Sequence, residues 1–292
     1  MFTIQRALAA LEWHFTSARA QLRSVRITLG WKRKRDHLAQ LQVGELLPVI
    51  FCTWHRLDRL PRTLALLAAQ NVPVQALIWN NSPARGEVEA AATSASIPVC
   101  VYHSPRNIGG FGRFYLARAA ARAGHERVVF IDDDQEFGPD TIARLLADHC
   151  PRTLSGWWAW RFRSDDYGNR DRASRDEPAH YVGTCGMIAD SAVFGDWRLF
   201  RCPRRFWFIE DLWLCYVASH LAGYGMHCSG AKFEAAEDKH ALYVTLGGAK
   251  QRFLRYLIRQ GWDPNRGPSN LAGRSVRYLD EIAARSQADS DG

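Results

Sequence analysis

Residues 127–137 read RVVFIDDDQEF, a short apolar run that ends in three adjacent aspartates, Asp132, Asp133 and Asp134. Such a run, bounded by polar residues, is the pattern of a strand buried on both faces. Three carboxylates at its end repel one another, and that costs stability unless a cation compensates. Magnesium and manganese take oxygen ligands, binding through one or two carboxylates together with a substrate diphosphate. The plainer alternative is an acidic turn ahead of the helix that Pro139 opens, where negative charge is favoured in any case.

Outward from this stretch the same texture repeats. Strands are expected at about 49–53 (VIFCT), 76–80 (ALIWN) and 98–102 (PVCVY), and helices at about 58–70, 86–95, 112–123 and 139–148. Apolar strands alternating with helices give an α/β fold with a mostly parallel sheet flanked by helices. Ligands of such sheets bind at the carboxyl ends of the strands, where the aspartates lie. Beyond residue 150 the pattern is mixed: a Trp-rich strand (154–162), a polar loop (163–178), a strand near 181–189 and a helix at 211–222. An acidic segment and helices near 248–260 and 274–285 follow, then a polar tail. The expected units are an arm at 1–45, a body at 46–245 that divides at 150 into nucleotide-binding and acceptor halves, and an extension at 246–292.

The composition is that of a chain with a real core, 47% apolar and 23% charged over 292 residues. Its net charge of +8 is localised. Residues 1–35 hold eight basic side chains against Glu12, leaving 30 basic and 29 acidic ones in the remaining 257 residues. A nearly neutral body argues against an extended nucleic-acid groove. Ile4, Leu8, Leu11, Phe15, Ala18, Leu22, Val25 and Leu29 alternate at spacings of four and three, a helix with one apolar stripe. With its basic flank this arm suits an anionic membrane face. The same stripe also suits a coiled-coil homodimer, or packing against the body. Seven cysteines without a C-x-x-C pair fit a reducing compartment. Arg6 and Glu12 interrupt the early apolar stretch, and no run reaches the roughly 18–20 apolar residues of a membrane span. The expected location is the cytoplasm, including the inner face of the membrane.

Two further segments carry chemistry. Residues 106–113, RNIGGFGR, lie between a strand and a helix, where glycines allow close approach of a phosphate to backbone amides. Glu210 and Asp211 open a helix directly after Phe206-Trp207-Phe208. They serve either as helix-capping acids or, one of them, as a general base. Trp157, Trp158 and Trp160 can stack on sugar rings or fill the core.

In order and spacing these segments resemble family 2 glycosyltransferases of GT-A fold, closest in motif style to rhamnosyl- and galactofuranosyltransferases. VIFCTWHRLDRLPRTLALLAAQ is similar to that family's first strand and helix, LIWNNSP to its second strand and turn, and RNIGGFGRF to its glycine loop. VVFIDDDQEF resembles its D-x-D strand end, GTCGMIADSAVF its acceptor strand, and RFWFIEDLWLCYVASHLAGYG its E-D helix. The resemblance covers roughly residues 48–230. It implies an inverting, metal-dependent transferase acting on a nucleotide-sugar donor, a UDP-sugar first, and a glycan or lipid-linked acceptor of surface polysaccharide assembly.

The resemblance also implies residue roles. Thr53, Arg56 and Asn80 fall near the nucleotide base; Asn107, Gly109, Gly110, Arg113, Asp132 and Asp133 fall along the donor. Asp134 and Asp132, with His240, would hold Mn²⁺ or Mg²⁺. Asp211, with Glu210 beside it, would be the base, and Trp157, Trp158, Gly183 and Trp207 would meet the acceptor. Asn80 stands where the family has aspartate, Arg113 where it has glycine, and Trp213 where it often has a second aspartate. Glu234, Glu237 and Asp238 compete with His240. A metal-dependent nucleotidyltransferase shares a similar sheet, but TWHRLDRLPRT lacks the glycine-rich loop expected on its first strand. A non-catalytic basic protein that binds membranes or nucleic acid is the remaining alternative.

Overall fold

The computed structural model describes residues 43–175, 177–236 and 246–264. Strand β1 (Leu47–Thr53) leads through a 3₁₀ turn to helix α1 (Leu60–Ala68), whose first turn holds Pro61 and which buries Leu60, Leu64 and Leu67. Pro at that place lacks only an N–H that has no partner in the helix anyway. β2 (Val74–Asn80) is buried along its whole length, followed by α2 (Arg85–Thr93) and β3 (Val99–His103). The glycine loop then enters α3 (Gly112–Arg122), and β4 (Arg127–Phe130) brings the chain to the aspartates.

The second half is built from shorter pieces. β5 (Gln135–Glu136) and α4 (Thr141–Asp148) precede β6 (Thr153–Gly156), β7 (Ala159–Phe162) and β8 (Arg170–Arg172). β9 (Tyr181–Val182), β10 (Met187–Asp190) and a series of 3₁₀ turns lead to α5 (Glu210–Tyr216). β11 (Gly225–Cys228), β12 (Glu234–Ala235) and α6 (Gly247–Arg259) complete the described chain.

Seven strands form the central sheet in the order β11-β6-β10-β4-β1-β2-β3, all parallel to their neighbours except β10, which runs antiparallel to β4 and β6. The order reverses between β1 and β4, so their carboxyl ends open a crevice at the switch point. Alternate residues of β1 serve opposite faces. Ile50 packs with Trp79, Phe114 and Phe130 on one side; Val49 and Phe51 pack with Leu64, Ile78 and Ile142 on the other. A small antiparallel sheet, β8-β7-β9, stands beside the main one.

Several sequence expectations are corrected. The Trp-rich run is two strands in different sheets, broken at Trp157 and Trp158. There Trp157 N–H donates to the Gly186 carbonyl at 2.9 Å, and Ala159 N–H turns back to the Trp157 carbonyl at 3.1 Å. The run at 181–189 likewise divides into β9 and β10, because Gly186 takes φ +85°. β8 lies inside the stretch read as a loop. The helix at 211–222 loses its regularity after Tyr216 and ends in a π-helical turn, Val217–Leu221. α6 is not a separate appendage, because Phe253, Leu254 and Leu257 join the main core and Phe253 stacks on Phe206 at 4.0 Å. The basic arm, Glu237, Asp238, His240 and the stretch 274–285 lie outside the described residues. All seven cysteines are free, and among the described residues no helix is long and apolar enough to cross a membrane.

Gly186 is a test of this frame. A Cβ there would lie 2.4 Å from the Phe233 ring, on top of the left-handed backbone cost. Gly186→Ala is expected to lower stability by about 2–4 kcal/mol, read by urea unfolding, through overpacking and backbone strain together. A change below ~1 kcal/mol would mean the turn relaxes freely.

Candidate functional site

The switch-point crevice gathers acids from two segments. Asp132, Asp133 and Asp134 leave β4, while Glu210 and Asp211 begin α5. Two arginines reach into this group. Arg56, in the turn after β1, forks across two aspartates: Nη1 lies 2.9 Å from Asp133 and Nη2 lies 3.0 Å from Asp134. Burial pushes the Asp133 carboxyl upward against the pull of Arg56. Asp134 is raised to about 6, first by burial and then by the charge of Asp132. The Thr53 hydroxyl is buried next to Asp133 without a hydrogen bond of normal geometry.

Arg113 is the second arginine, and it is only 5% exposed. Its Nε donates to the Gly110 carbonyl at 3.2 Å, Nη1 to the Thr184 carbonyl at 3.4 Å and Nη2 to Asp132 at 2.8 Å. Glu210 lies 3.5 Å from its Nε. Each of its three nitrogens thus has a partner within the protein. It fixes Asp132, whose side chain remains 35% exposed to the crevice. Glu210 is buried behind this pair, and burial raises its carboxyl to about 7 despite Arg113.

The glycine loop owes its glycines to close packing within the protein. A Cβ on Gly110 would fall 1.9 Å from Glu210 Oε1, one on Gly112 2.2 Å from Trp79, and one on Gly109 2.8 Å from the Phe208 ring. Gly109 also takes φ +66°, and its N–H donates to Asn107 Oδ1 at 2.8 Å. Asn81, which the sequence reading passed over, ties this loop to β2. It donates to the Gly109 carbonyl at 3.1 Å and accepts from Ile108 N–H at 3.1 Å and Trp79 Nε1 at 3.2 Å. Asn80 is fully buried, accepting from Ser82 N–H at 2.7 Å and meeting His103 Nδ1 at 2.8 Å. It shapes the turn after β2 and presents no side-chain surface to a ligand.

On the other side of the crevice Asp211 lies in the first turn of its helix, with Leu212 N–H donating to Oδ1 at 2.8 Å. The Tyr181 hydroxyl, on β9, donates to Oδ2 and leaves the carboxylate oriented toward the crevice between two helpers. Tyr181 carried no motif and was missed in the sequence. Its signal was its place two residues before Gly183 in the expected acceptor strand.

The aromatic expectations divide. Trp207 is 8% exposed, stacks on Phe111 at 5.4 Å and donates Nε1–H to the Cys202 carbonyl at 3.0 Å, so it is a wall of the core and not an acceptor platform. Its neighbour Phe208, 42% exposed and laid over Gly109, is the aromatic at the mouth, with Trp54 after β1 36% exposed as well. Trp157 and Trp158 are half-buried, but Arg172 covers both, its guanidinium 4.4 and 4.5 Å from their ring centres. Gly183 packs behind Trp158, donating its N–H to the Trp158 carbonyl at 2.8 Å.

The donor set suits a hard divalent cation. Asp132 and Asp134 are oxygen donors reachable from the crevice, and five carboxylates face two arginines, which leaves negative charge over. Among the described residues no group of three His, Cys, Asp or Glu side chains could hold an ion alone. His240 lies outside the described residues.

The titration of Glu210 gives a direct test. Its folded-state affinity for a proton exceeds that of the unfolded chain, so the linked stability is present below about pH 4.5 and is lost as pH rises toward 7. Glu210→Gln is expected to abolish this loss. Urea midpoints should favour the variant increasingly between pH 4.5 and 7.5, by up to about 3 kcal/mol. Parallel stability curves would show that Glu210 is not held protonated.

Comparison with known proteins bears on the whole arrangement. Residues 49–224 match the model of glycosyl transferase family 2. No curated protein sequence matches. Among solved structures, S. aureus TarS is 18% identical over 69% of this chain and 38% of its own length, with a TM-score of 0.45. The chain thus spans well under half of that protein. The mannosyltransferase PcManGT from Pyrobaculum calidifontis, solved with GDP-Man and Mn²⁺, is 13% identical over 87% of this chain and 78% of its own, with a TM-score of 0.54.

Proposed function

The chain belongs to glycosyl transferase family 2, and we propose from that premise that it transfers a sugar, with inversion, from a nucleotide-sugar donor to a hydroxyl of a glycan or lipid-linked acceptor. The observation that carries this reading is the pairing across one crevice of a carboxylate cluster at the β4 end with an oriented carboxylate, Asp211. The distant mannosyltransferase with GDP-Man and Mn²⁺ supports a nucleotide sugar and a divalent ion as the ligands.

The donor lies along the carboxyl ends of β1, β2 and β4. Arg56 and the turn at Thr53 frame its nucleotide, and Trp54 and Phe208 offer exposed rings for the base or sugar. Asp132 and Asp134 would hold Mn²⁺ or Mg²⁺, which when bound neutralises the charge growing on the leaving diphosphate. Arg113 and Glu210 keep Asp132 in place. Asp211, aligned by Tyr181 and Leu212 N–H, takes the proton from the acceptor hydroxyl as its oxygen attacks the anomeric carbon. Attack opposite the leaving group inverts the anomeric centre, and the nucleoside diphosphate departs.

Two substitutions separate the roles. Asp134→Ala is expected to remove the Mn²⁺ dependence of nucleoside diphosphate binding, followed by thermal shift, because bound ligand stabilises the native state in proportion to its occupancy. Unchanged metal-dependent binding would sink the cation assignment. Asp211→Asn should keep donor binding and lose transfer by about 10²-fold or more, the usual scale for a general base. If Glu210→Gln is the inactive variant instead, the base is Glu210. If neither substitution slows transfer, both acids serve only to cap the helix.

A further inference from the structure

The small sheet next to Asp211 carries a feature that the transfer reaction does not use. Arg170 and Arg172 are two residues apart on β8 and so project from the same face. Arg172 lies 4.4 to 5.5 Å from the ring centres of Trp157, Trp158 and Trp160. Arg170 lies 4.8 Å from Trp160 and 4.0 Å from Tyr167. From the other direction Lys250, on α6, brings Nζ to 5.5 Å from the centre of the same Tyr167 ring. Tyr167 packs edge-on against Tyr181 at 6.2 Å, and Tyr181 holds Asp211. The cations therefore form a continuous aromatic-backed wall that ends at the candidate base.

The two arginine charges are poorly compensated. Among the described residues neither Arg170 nor Arg172 pairs with a carboxylate; they donate to the carbonyls of Tyr167 and Trp157, and Arg172 also meets the Cys228 side chain. Arg170 Nε is buried with no hydrogen-bond partner. Nearby acids are committed elsewhere: Asp171 to Arg163, Glu177 to Arg161 and Asp166 to the Gly168 amide. Both guanidinium groups are half-buried, and with no carboxylate partner their charge leaves room for an added anion. The loop is also held in place, since Gln251 on α6 accepts from Tyr167 N–H at 2.6 Å and donates to the Asp165 carbonyl at 2.8 Å. Burial works against the Lys250 ammonium, yet the charge of Asp211 and then Tyr167 keep it raised, so it stays a cation within electrostatic reach of Asp211.

We propose that Arg170, Arg172 and Lys250 form the acceptor subsite, and that the acceptor is a glycan bearing an anionic group, a carboxylate or a phosphate, close to the hydroxyl that reacts. Arginine is suited to this task because its planar fork matches either anion bidentately while its face rests on an aromatic ring. The tryptophans then hold the arginines in position, and the sugar lies against the guanidinium edge. This inference rests on the reading of Asp211 as the base of a glycosyl transfer.

The test titrates the full chain, with nucleoside diphosphate and Mn²⁺ present, with four probes: methyl glucuronide, glucose 6-phosphate, uncharged methyl glucoside and inorganic phosphate alone. Binding is followed by calorimetry and by the fluorescence of the tryptophans under Arg172. One or both charged sugars should bind about tenfold or more tightly than methyl glucoside, the scale of a charge-assisted hydrogen bond. The stronger of the two identifies the anion, and salt should narrow the gap. Arg172→Gln and Lys250→Gln should close it while keeping nucleoside diphosphate binding, which reports that each variant is folded. Equal affinity for charged and uncharged sugars in the unmodified chain overturns the proposal, whatever the variants do. So does a gap that survives both substitutions, or inorganic phosphate binding as tightly as the charged sugars. Failure of the unmodified chain to bind any nucleoside diphosphate would instead overturn the glycosyl-transfer reading.

Discussion

The guanidinium of Arg113 is the contact on which the rest of the crevice depends. It joins the glycine loop through Gly110, the end of β4 through Asp132, the turn before β10 through Thr184, and the start of α5 through Glu210. A buried cation is tolerable only when its donors are all met, and removing one partner of such a group typically costs about 3–5 kcal/mol. Each of the four segments is therefore tied to the same guanidinium. Gly110 must lack a side chain because Glu210 occupies that space, with Oε1 1.9 Å from where a Cβ would lie. Gly112 must lack one because Trp79 does, at 2.2 Å. The loop is shaped by what lies behind it before any ligand arrives in front.

Arg56 repeats the device on the opposite side, with a different result. Because it spans Asp133 and Asp134, it fixes two carboxylates with one charge. Together the two arginines immobilise the acids without neutralising them. Asp134 keeps a proton affinity well above an ordinary aspartate, first because it is buried and then because Asp132 lies beside it. A preorganised excess of negative charge, next to an exposed Asp132, is the electrostatic condition for recruiting a cation along with a diphosphate.

The nucleotide-side half was legible in the sequence because buried parallel strands are continuous apolar runs and their ends fall at fixed places. Asp132 and Thr53 could be placed at strand ends on that ground alone. The second half was less legible, because its strands are two to four residues long and change sheets between Gly156 and Ala159. A period-two pattern cannot register a break made by a turn whose partners, Gly186 and Val182, lie far along the chain. The glycines of 109–112 were visible, but not their reason, since Trp79, Phe208 and Glu210 are brought behind them only by folding. Trp207 and Phe208 look interchangeable as letters. One residue of rotation decides that the first is buried on Phe111 and the second is exposed.

The family match ends at residue 224, yet α6 at Gly247–Arg259 is integral to the described body. Phe253 stacks on Phe206, directly ahead of the Glu210-Asp211 pair, and Gln251 clamps the loop that carries Tyr167. The segment that packs there thus comes from outside the matched stretch. This division has a physical reason. In the proposed reaction the departing nucleoside diphosphate makes the same electrostatic demand at the β4 end whatever the acceptor. Acceptors differ in shape and charge, and a peripheral helix and a short sheet can change without disturbing β1 or β4. A cationic wall built from β8 and α6 can therefore be remodelled while Arg113 and its four contacts stay as they are.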